Sequence, residues 1–347
     1  MARHPGMAEL AAAAGVSIAT VDRILNGREP VRAVTAARVA EAALRIGHPA
    51  ALQIAPAPAL REVRFGVVLH KQGQDFYKAF AEALRDAVAA EPSVRGRLVL
   101  EFSTSQAPSE MAGLMRSMVG RCDVLAATAV MHPDITSAVE ALRDRGLSVF
   151  ALLSDFAPAA RAGYLGLDNL KVGRTAGWMM TKATQGPGKL AIFVGGHRWN
   201  GHELRDLGFR GFLAEAAPDL EVLETLVNLE TRKLTYEATL NLLARQPDLR
   251  GIYVAGGGME GAIAALRDFG AGDAAGAKKP VALVVSALTQ DSRRGLAEGQ
   301  VTLVIDTPLE QLCRALTARM ALASLSPRAE RGKDLFLPPS LSIPQML

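Results

Sequence analysis

The residues of this chain with chemical potential fall into a glycine loop, a histidine pair, and polar or aromatic side chains that follow apolar runs. Gly256, Gly258 and Gly261, in VAGGGMEGAIAAL, fit the G-x-G-x-x-G spacing by which a strand-to-helix turn approaches a pyrophosphate. Where such a site needs an acid, about twenty residues further on, this chain has an Ala, Gly and Lys-rich loop. The glycines therefore read as a close backbone approach to a ligand at a helix N-terminus, or as tight strand-to-helix packing. His197 and His202 precede or open a helix at a spacing that does not suit a shared metal, and His202, Glu203 and Asp206 read equally as a solvated helix face. There is no G-x-S-x-G elbow, H-E-x-x-H pair or phosphate-binding P-loop, so neither an enzyme nor a cofactor or metal site is expected.

The elements that must position these residues are apolar runs alternating with amphipathic segments. From Val63 the runs VRFGVVLH, RLVLEFS, DVLAATAV, LSVFALLS, KLAIFVGG, LRGIYVAGG and PVALVVSAL are separated by helical stretches such as EMAGLMRSMV, ITSAVEALRD and EGAIAALRDF. That alternation predicts α/β architecture, with parallel sheets flanked by helices. Ligands of such sheets bind beyond the carboxyl ends of the strands. The rule nominates Lys71, Gln74, Asp75, Phe76 and Tyr77 after the first run, and Thr128, Met131 and His132 after the third. It adds Ser154 and Asp155 after the fourth, and His197, Arg198, Trp199 and Asn200 after the fifth. Aromatic faces such as Phe76 suit the C–H face of a sugar or polyol, and carboxylates and amides suit its hydroxyls.

The N-terminal stretch MAELAAAAGVSIATVDRILN has a different design. Leu10, Ala11 and Ala14 recur at helical spacing, Gly15 supplies a turn, and Ser17 stands as N-cap to a helix from Ile18 to Leu25 that Gly27 closes. With Val16, Val21 and Leu25 facing inward, this reads as a DNA-binding helix-turn-helix, although the pattern alone suits a packed helical corner equally. Its outward face offers Ser17, Ile18, Ala19, Asp22 and Arg23. A third helix starts at Pro30 and Val31 and ends at Gly47; His48 to Leu60, with three prolines, reads as a linker. Basic residues Arg23, Arg28, Arg32, Arg38, Arg45, Arg61 and Arg64 outnumber the acids here, the footprint a phosphate backbone needs.

AGVSIATVDRILNG, followed by PVRAVTAARVAEAALRIG, resembles the headpiece of LacI/GalR (lactose-repressor) family transcriptional regulators, and GYLGLDNLKVGRTAG resembles a motif of their effector domain. The resemblance implies an N-terminal all-α headpiece over 1–47, a linker or hinge region over 48–62, and a two-subdomain core of the type I periplasmic-binding-protein kind over 63–347. The N-subdomain would take 63–186 and 291–324, and the C-subdomain 187–290 and 325–347. It further implies an effector-responsive regulator, usually a repressor, that binds operator DNA as a homodimer and senses a sugar, polyol or amine-bearing metabolite. Arg23 would read a base edge or phosphate, Ile18 and Ala19 would touch base edges, and Thr20, Asn26, Arg32 and Thr35 would hold phosphates.

Some positions depart from the family pattern. Asp22 stands where a serine is usual, Glu203 where an arginine is, Gly256 where an asparagine is, Leu288 where an aspartate is, and Asp306 where a glutamine is. Asp75, Asp155, Glu203 and Asp306 would then make the pocket acidic. Relatives carry a hinge helix between headpiece and core; Pro56 and Pro58 oppose one, leaving Ala51, Leu52 and Ile54 as its only candidates. Alternatives of other classes are a sugar-binding protein of transport or chemotaxis type and a nucleotide-dependent enzyme using the glycine loop.

The bulk properties agree. A chain of 347 residues with 49% apolar content fits a small domain joined to a large one. The net charge of +4 permits but does not demand nucleic-acid binding. Met1 to Gly6 lacks an apolar signal region and charges interrupt every apolar run, so a cytoplasmic protein without a membrane span is expected. Cys122 and Cys313 are too far apart in sequence for metal-ligand spacing and read as small buried hydrophobes.

Overall fold

The computed structural model describes residues 4–26, 31–54, 60–271, 280–326 and 332–346, and divides into two compact units, 1–61 and 62–347. In the first unit the helices are α1 (Met7–Ala14), α2 (Ile18–Asn26), α3 (Ala33–Ile46) and α4 (Ala51–Ile54). Leu10, Ala11 and Ala14 of α1, Val21 of α2 and Val39, Ala42 and Ala43 of α3 form its core. Gly15 takes a left-handed φ of 64° and its N–H returns to the last turn of α1, which fixes the turn between the first two helices. Ser17 Oγ accepts from the N–H of Thr20, the cap expected of it.

Two expectations for this unit are corrected. The stretch read as linker contains α4, and Ala51 is buried in the headpiece core with Ile54 packed against it. Gly47 ends α3 as expected, but His48 to Ile54 folds back because Ala51 and Ile54 supply apolar surface the small core lacks. Gly27, Pro30, Pro56 and Pro58 lie outside the described residues, and the third helix is described from Ala33. Second, Arg38 and Arg45 belong to the packing as much as to any phosphate footprint. Arg38 Nη2 donates to the carbonyls of Ala14 and Gly15 at 2.8 and 3.0 Å, and Arg45 Nη2 to that of Ala13 at 2.7 Å. Cations placed on the last carbonyls of α1 satisfy its orphan acceptors and its dipole.

The second unit runs β1 (Glu62–His70), α5 (Asp75–Ala90), β2 (Arg95–Ser103), α6 (Pro108–Arg116), β3 (Val124–Ala127), α7 (Pro133–Asp144), β4 (Val149–Leu152), β5 (Gly163–Leu167), α8 (Asn169–Ala183), β6 (Gly188–Val194), α9 (Asn200–Ala216), β7 (Leu220–Val222) and β8 (Leu226–Val227). It continues with α10 (Arg232–Arg245), β9 (Leu249–Val254), α11 (Met259–Ala271), β10 (Ala282–Val285), α12 (Gln290–Ala297), β11 (Leu303–Asp306), α13 (Leu309–Leu325), β12 (Leu335–Leu337) and β13 (Ser340–Ser342). A six-stranded parallel sheet has the order β12-β5-β4-β3-β1-β2. A seven-stranded sheet has the order β13-β11-β10-β9-β6-β7, with β8 also on β6, and is parallel except for the β11–β13 pair.

β1 shows why the runs are continuously apolar. Phe65, Val67 and Leu69 enter the core under α5 and α13, while Val68 enters the one under α6 and α7, so both faces are covered. Each large apolar side chain buried this way contributes about 1.5 to 3 kcal/mol. Cys122 and Cys313 are buried as expected, and burial pushes their thiols up to about 11 and about 12.

The lobes exchange chain at other places than expected. The Gly186–Gly188 breaker is only a loop, because α8 already belongs to the second lobe: Val172, Ala176 and Met180 are buried with Leu190 and Ile192 of β6. The chain therefore leaves the first sheet after Leu167. It returns at Thr307 and Pro308 rather than near 290, since Leu296 of α12 packs with Ile263 and Val301 whereas Leu312, Cys313 and Leu316 of α13 pack with Phe65 and Phe80. The last crossing lies between β12 and β13, at Pro338 and Pro339, and not near 325. In each case burial partners, which sequence spacing does not specify, decide the lobe.

Candidate functional site

In the headpiece, α2 presents Ser17, Ile18, Ala19, Arg23 and Asn26 as exposed side chains, with Thr20, Asp22 and Thr35 partly exposed and Arg32 exposed at the start of α3. Ile18 is 52% exposed, an aliphatic side chain left in solvent on a helix whose Val21 is fully buried. Asn26 Nδ2 donates to Asp22 Oδ1 at 2.7 Å, so the unusual acid has a partner one helical turn away and Asn26 is oriented by it. The set makes one polar and apolar face on a short helix, the form in which a recognition helix meets a major groove.

The second unit holds a cleft between its two sheets, with about 800 Å³ of space including the mouth, at the carboxyl ends of the strands. The first lobe supplies Gln74, Phe76 and Tyr77 from the start of α5, Thr128 after β3, and Leu153 and Ser154 after β4. The second lobe supplies Trp199, His202 and Arg205 around the start of α9, Glu230 before α10, Gly256 to Glu260 after β9, and Ser286 and Ala287 after β10.

Arg205 is the most elaborately held of these. Its Nε donates to Asn169 Oδ1 at 2.8 Å and its Nη1 to the Ala255 carbonyl at 2.6 Å. Asn169 Nδ2 in turn donates to the Leu153 carbonyl and to Tyr164 Oη, each at 3.1 Å. Nη2 has no partner among the described residues, so this lining guanidinium keeps donors for an occupant. Small residues bring it there: a side chain at Gly173 would strike the Arg205 carbonyl, and one at Gly208 the Leu170 carbonyl, so α8 and α9 pack backbone to backbone.

His202 receives the Gly195 N–H on Nδ1 at 3.1 Å, which places its own proton on Nε2, 3.8 Å from Glu230 Oε1. Across the mouth, Gln74 Nε2 donates to the Glu230 carbonyl at 2.8 Å and Lys71 Nζ to the Leu229 carbonyl. Trp199 Nε1 donates to Gln106 Oε1 at 3.2 Å, and the Gly201 N–H to Ser154 Oγ at 2.9 Å, so the first lobe holds the entrance of α9 at two points. The cleft thus offers aromatic faces, a cation, a buried carboxylate and several hydroxyls. Among the described residues no group of His, Cys, Asp and Glu could hold a metal, and no helix is long and apolar enough to cross a membrane.

Residues 6–48 match the family model of bacterial regulatory proteins of the lacI family, and residues 65–326 match that of the periplasmic binding protein domain. The chain belongs to the lacI family of regulators, with a periplasmic-binding-protein effector core. No curated protein matches it. Among solved structures it is similar in fold to a solute-binding protein from Agrobacterium vitis with bound D-fucose (15% identity, TM-score 0.72, covering 81% of this chain and 96% of that one). It is similar also to one from Burkholderia graminis C4D1M in complex with D-arabinose (20% identity, TM-score 0.71, 83% and 97%), and to one from Actinobacillus succinogenes 130z with bound D-allose (17%, 0.71, 82% and 98%).

For this lacI-family core the structure brings together Gln74, Phe76, Tyr77, Thr128, Ser154, Trp199 and Gly256 of the residues expected in the cleft, with Lys71 clasping its wall. It leaves the others outside. Asp75 is exposed and paired with Lys78; His197 and Glu203 pair with each other in solvent at 2.9 Å; Asn200 does not line the cleft. Met131 is exposed and His132 caps α7. Asp155 is held by Arg161, which also grips Asp334, so it fastens the segment beside β12 to its own lobe. Asp306 takes the backbone N–H groups of Leu288 and Thr307, and Thr307 lines the cleft instead.

The expected acidic lining is therefore replaced by Arg205 with Glu230 and Glu260. The supposed loss of an arginine at Glu203 is filled two positions along the helix by Arg205. His202, read as a solvated helix face, is instead part of the lining, with its side chain 12% exposed. Asp168 caps α8 while its neighbour Asn169 enters the cleft wall. Nothing in local spacing marked Glu230, which lies in a loop; a helix face drawn through His202 and Arg205 would have found the other two. The glycine loop combines both expectations: Gly256 to Gly258 line the cleft before α11, with Gly258 at a φ of 87°, and a side chain on Gly261 would strike the Arg232 carbonyl.

Burial also sets an acid limit on the fold. It lowers His70 from 6.5 to about 4, with Lys71 adding to the effect, and His202 to about 3, with Arg205 and Lys71 adding. Because both folded values lie below the unfolded one, the unfolded chain binds more protons as pH falls, so their stability is whole above about pH 6.5 and is lost towards pH 4. At pH 5 the loss is about 2 kcal/mol per histidine. Glu230 and Asp306, raised by burial, act in the opposite sense at pH values just above the carboxylate range. Chemical denaturation is expected to show a lower midpoint at pH 5 than at pH 7, and a smaller difference in His202→Gln; equal midpoints would contradict the buried neutral histidines.

Proposed function

We propose that this chain is an effector-responsive transcriptional regulator of repressor type, acting in the cytoplasm as a homodimer on a pseudo-palindromic operator and sensing a neutral sugar or polyol. The observation that carries the ligand class is the cleft lining. Phe76, Tyr77 and Trp199 offer ring faces to C–H groups, while Arg205, His202, Thr128 and Glu230 are placed among them for hydroxyls. Sugars in the solved neighbours of this fold support the same class. Glu230 and Glu260 of the lining disfavour a sugar phosphate and Arg205 disfavours a free amine, so the cleft favours an uncharged occupant. The exposed face of α2 supports operator reading, and a single headpiece covers too few base pairs for a specific site, which is the reason for two.

The test uses the full chain. Thermal shift against D-fucose, D-arabinose, D-allose and other monosaccharides and polyols is expected to find a compound that raises the melting temperature by several degrees, since a ligand at one hundred times its Kd stabilises by about 2.7 kcal/mol. The same compound is then expected to change gel-shift affinity for DNA flanking the protein's own gene by about 5 to 150-fold. Stabilisation without any DNA binding would reduce the protein to a binding protein; DNA binding with no response to any compound would remove the effector reading.

A further inference from the structure

Glu230 is built unlike an acid kept for structure. Leu229 and Glu230 both hold left-handed backbone, with φ of 49° and 54°, a strained conformation for a residue with a side chain. The conformation is enforced from both lobes. Asn228 Oδ1 accepts the Glu230 N–H at 2.8 Å, and Asn228 Nδ2 donates to Thr235 Oγ1 and to the Gly257 carbonyl, each at 2.9 Å. From the opposite lobe, Gln74 and Lys71 take the carbonyls of Glu230 and Leu229.

The carboxylate so placed lines the cleft with only 8% of its side chain exposed. Oε1 accepts the Gly257 N–H at 3.2 Å. Oε2 has no hydrogen-bond partner, and the nearest cation, Lys71 Nζ, stands 3.9 Å away, beyond hydrogen-bond reach. The space beside it is kept by glycine: a Cβ on Gly256 would come within 2.7 Å of the His202 ring and 3.2 Å of Glu230 Oε1, and one on Gly257 within 3.0 Å of Glu230 Cβ. A buried acceptor left unpaired is destabilising, so a fold that strains its backbone to hold one there is arranged for a donor that arrives from outside.

We propose that Glu230 is the specificity-determining residue of the cleft: its Oε2 accepts a hydroxyl hydrogen from the effector, beside the Nε2–H of His202, which donates to the same ligand. This rests on reading the cleft as a sugar or polyol site. A hydroxyl both donates and accepts, so neighbouring hydroxyls satisfy the acid and the imidazole together. A ligand with only acceptors at that position leaves Oε2 unpaired and is rejected.

The experiment compares the full-length parent with Glu230→Gln, by melting without ligand and by calorimetry with D-fucose, D-arabinose, D-allose and D-tagatose, then with monodeoxy forms of whichever binds. Without ligand, Glu230→Gln is expected to melt higher than the parent, because it removes a buried charge and keeps the acceptor for Gly257. Affinity for the sugar is expected to fall about 10- to 150-fold, the range of a hydrogen bond to a charged group. One deoxy sugar is expected to bind the parent weakly and to lose nothing further in the variant, as two changes to one contact do not add. An unchanged or lower melting temperature, or sugar affinity like the parent's, overturns the assignment. If no sugar binds even the parent, that failure belongs to the ligand class, and the direction of the melting shift still decides whether Glu230 is a functional or a structural acid.

Discussion

Arg205→Ala is expected to abolish effector binding and to destabilise the core at once. The guanidinium ties Asn169 of the α8 start to Ala255 after β9, so its loss leaves the Asn169 Oδ1 and the Ala255 carbonyl without their donor in a nearly closed site. Each unpaired buried acceptor costs about 1 to 3 kcal/mol, partly relieved by water from the cleft, so a loss of about 2 to 4 kcal/mol in chemical denaturation is expected. Ligand affinity should fall more than about 100-fold, since the remaining donors of the fork are lost too. Arg205→Lys separates the two effects: it keeps a charge but not the planar fork, so binding should stay weak even where stability partly recovers. A stable Arg205→Lys variant that binds like the parent would show that the cleft does not use this side chain.

Arg23→Ala is expected to remove operator recognition while leaving the effector response of the core as it was. Arg23 is exposed on α2, next to the exposed Ile18 and Ala19, and it lies in a unit separate from the effector core. A lost bidentate base contact costs about 1 to 3 kcal/mol per half-site, about 5 to 150-fold, and two half-sites multiply the loss. The loss should be concentrated at one symmetric operator position, measured by gel shift at fixed salt with single-base operator variants. Uniform weakening at all positions would make Arg23 a phosphate contact, and unchanged affinity would remove it from the interface. Because Arg38 bonds the carbonyls of Ala14 and Gly15, Arg38→Ala is expected to lower headpiece stability as well as DNA affinity.

These expectations divide according to what local sequence can encode. The recognition helix was legible because everything that makes it is near in the chain: the left-handed Gly15, the Ser17 cap, and Val21 buried while Ile18 is exposed. The α/β class is legible from the apolar runs, though these do not mark the short strands β5, β7, β8, β11, β12 and β13. β5 is GYLGL, too glycine-rich for a strand pattern, and the last two are held by pairing with β5 and β11 rather than by their own sequence. Of the residues that strand ends nominate, Phe76, Thr128 and Trp199 are among those at the cleft.

Which acids face the cleft was decided by tertiary structure alone. Asp155 and Asp306 stand at strand ends and Glu203 in the first turn of α9, yet Arg161, the Leu288 and Thr307 amides, and His197 claim them, while Glu230 and Glu260 line the cleft. Glu230 is left over because Asn228 and Gln74 hold its backbone, Lys71 holds that of Leu229, and none of them hydrogen-bonds its Oε2. Residue type and spacing along one strand determine where a carboxylate can be; whether it remains available depends on partners up to 173 residues away, as between Arg161 and Asp334, and only the folded chain brings those within hydrogen-bond distance.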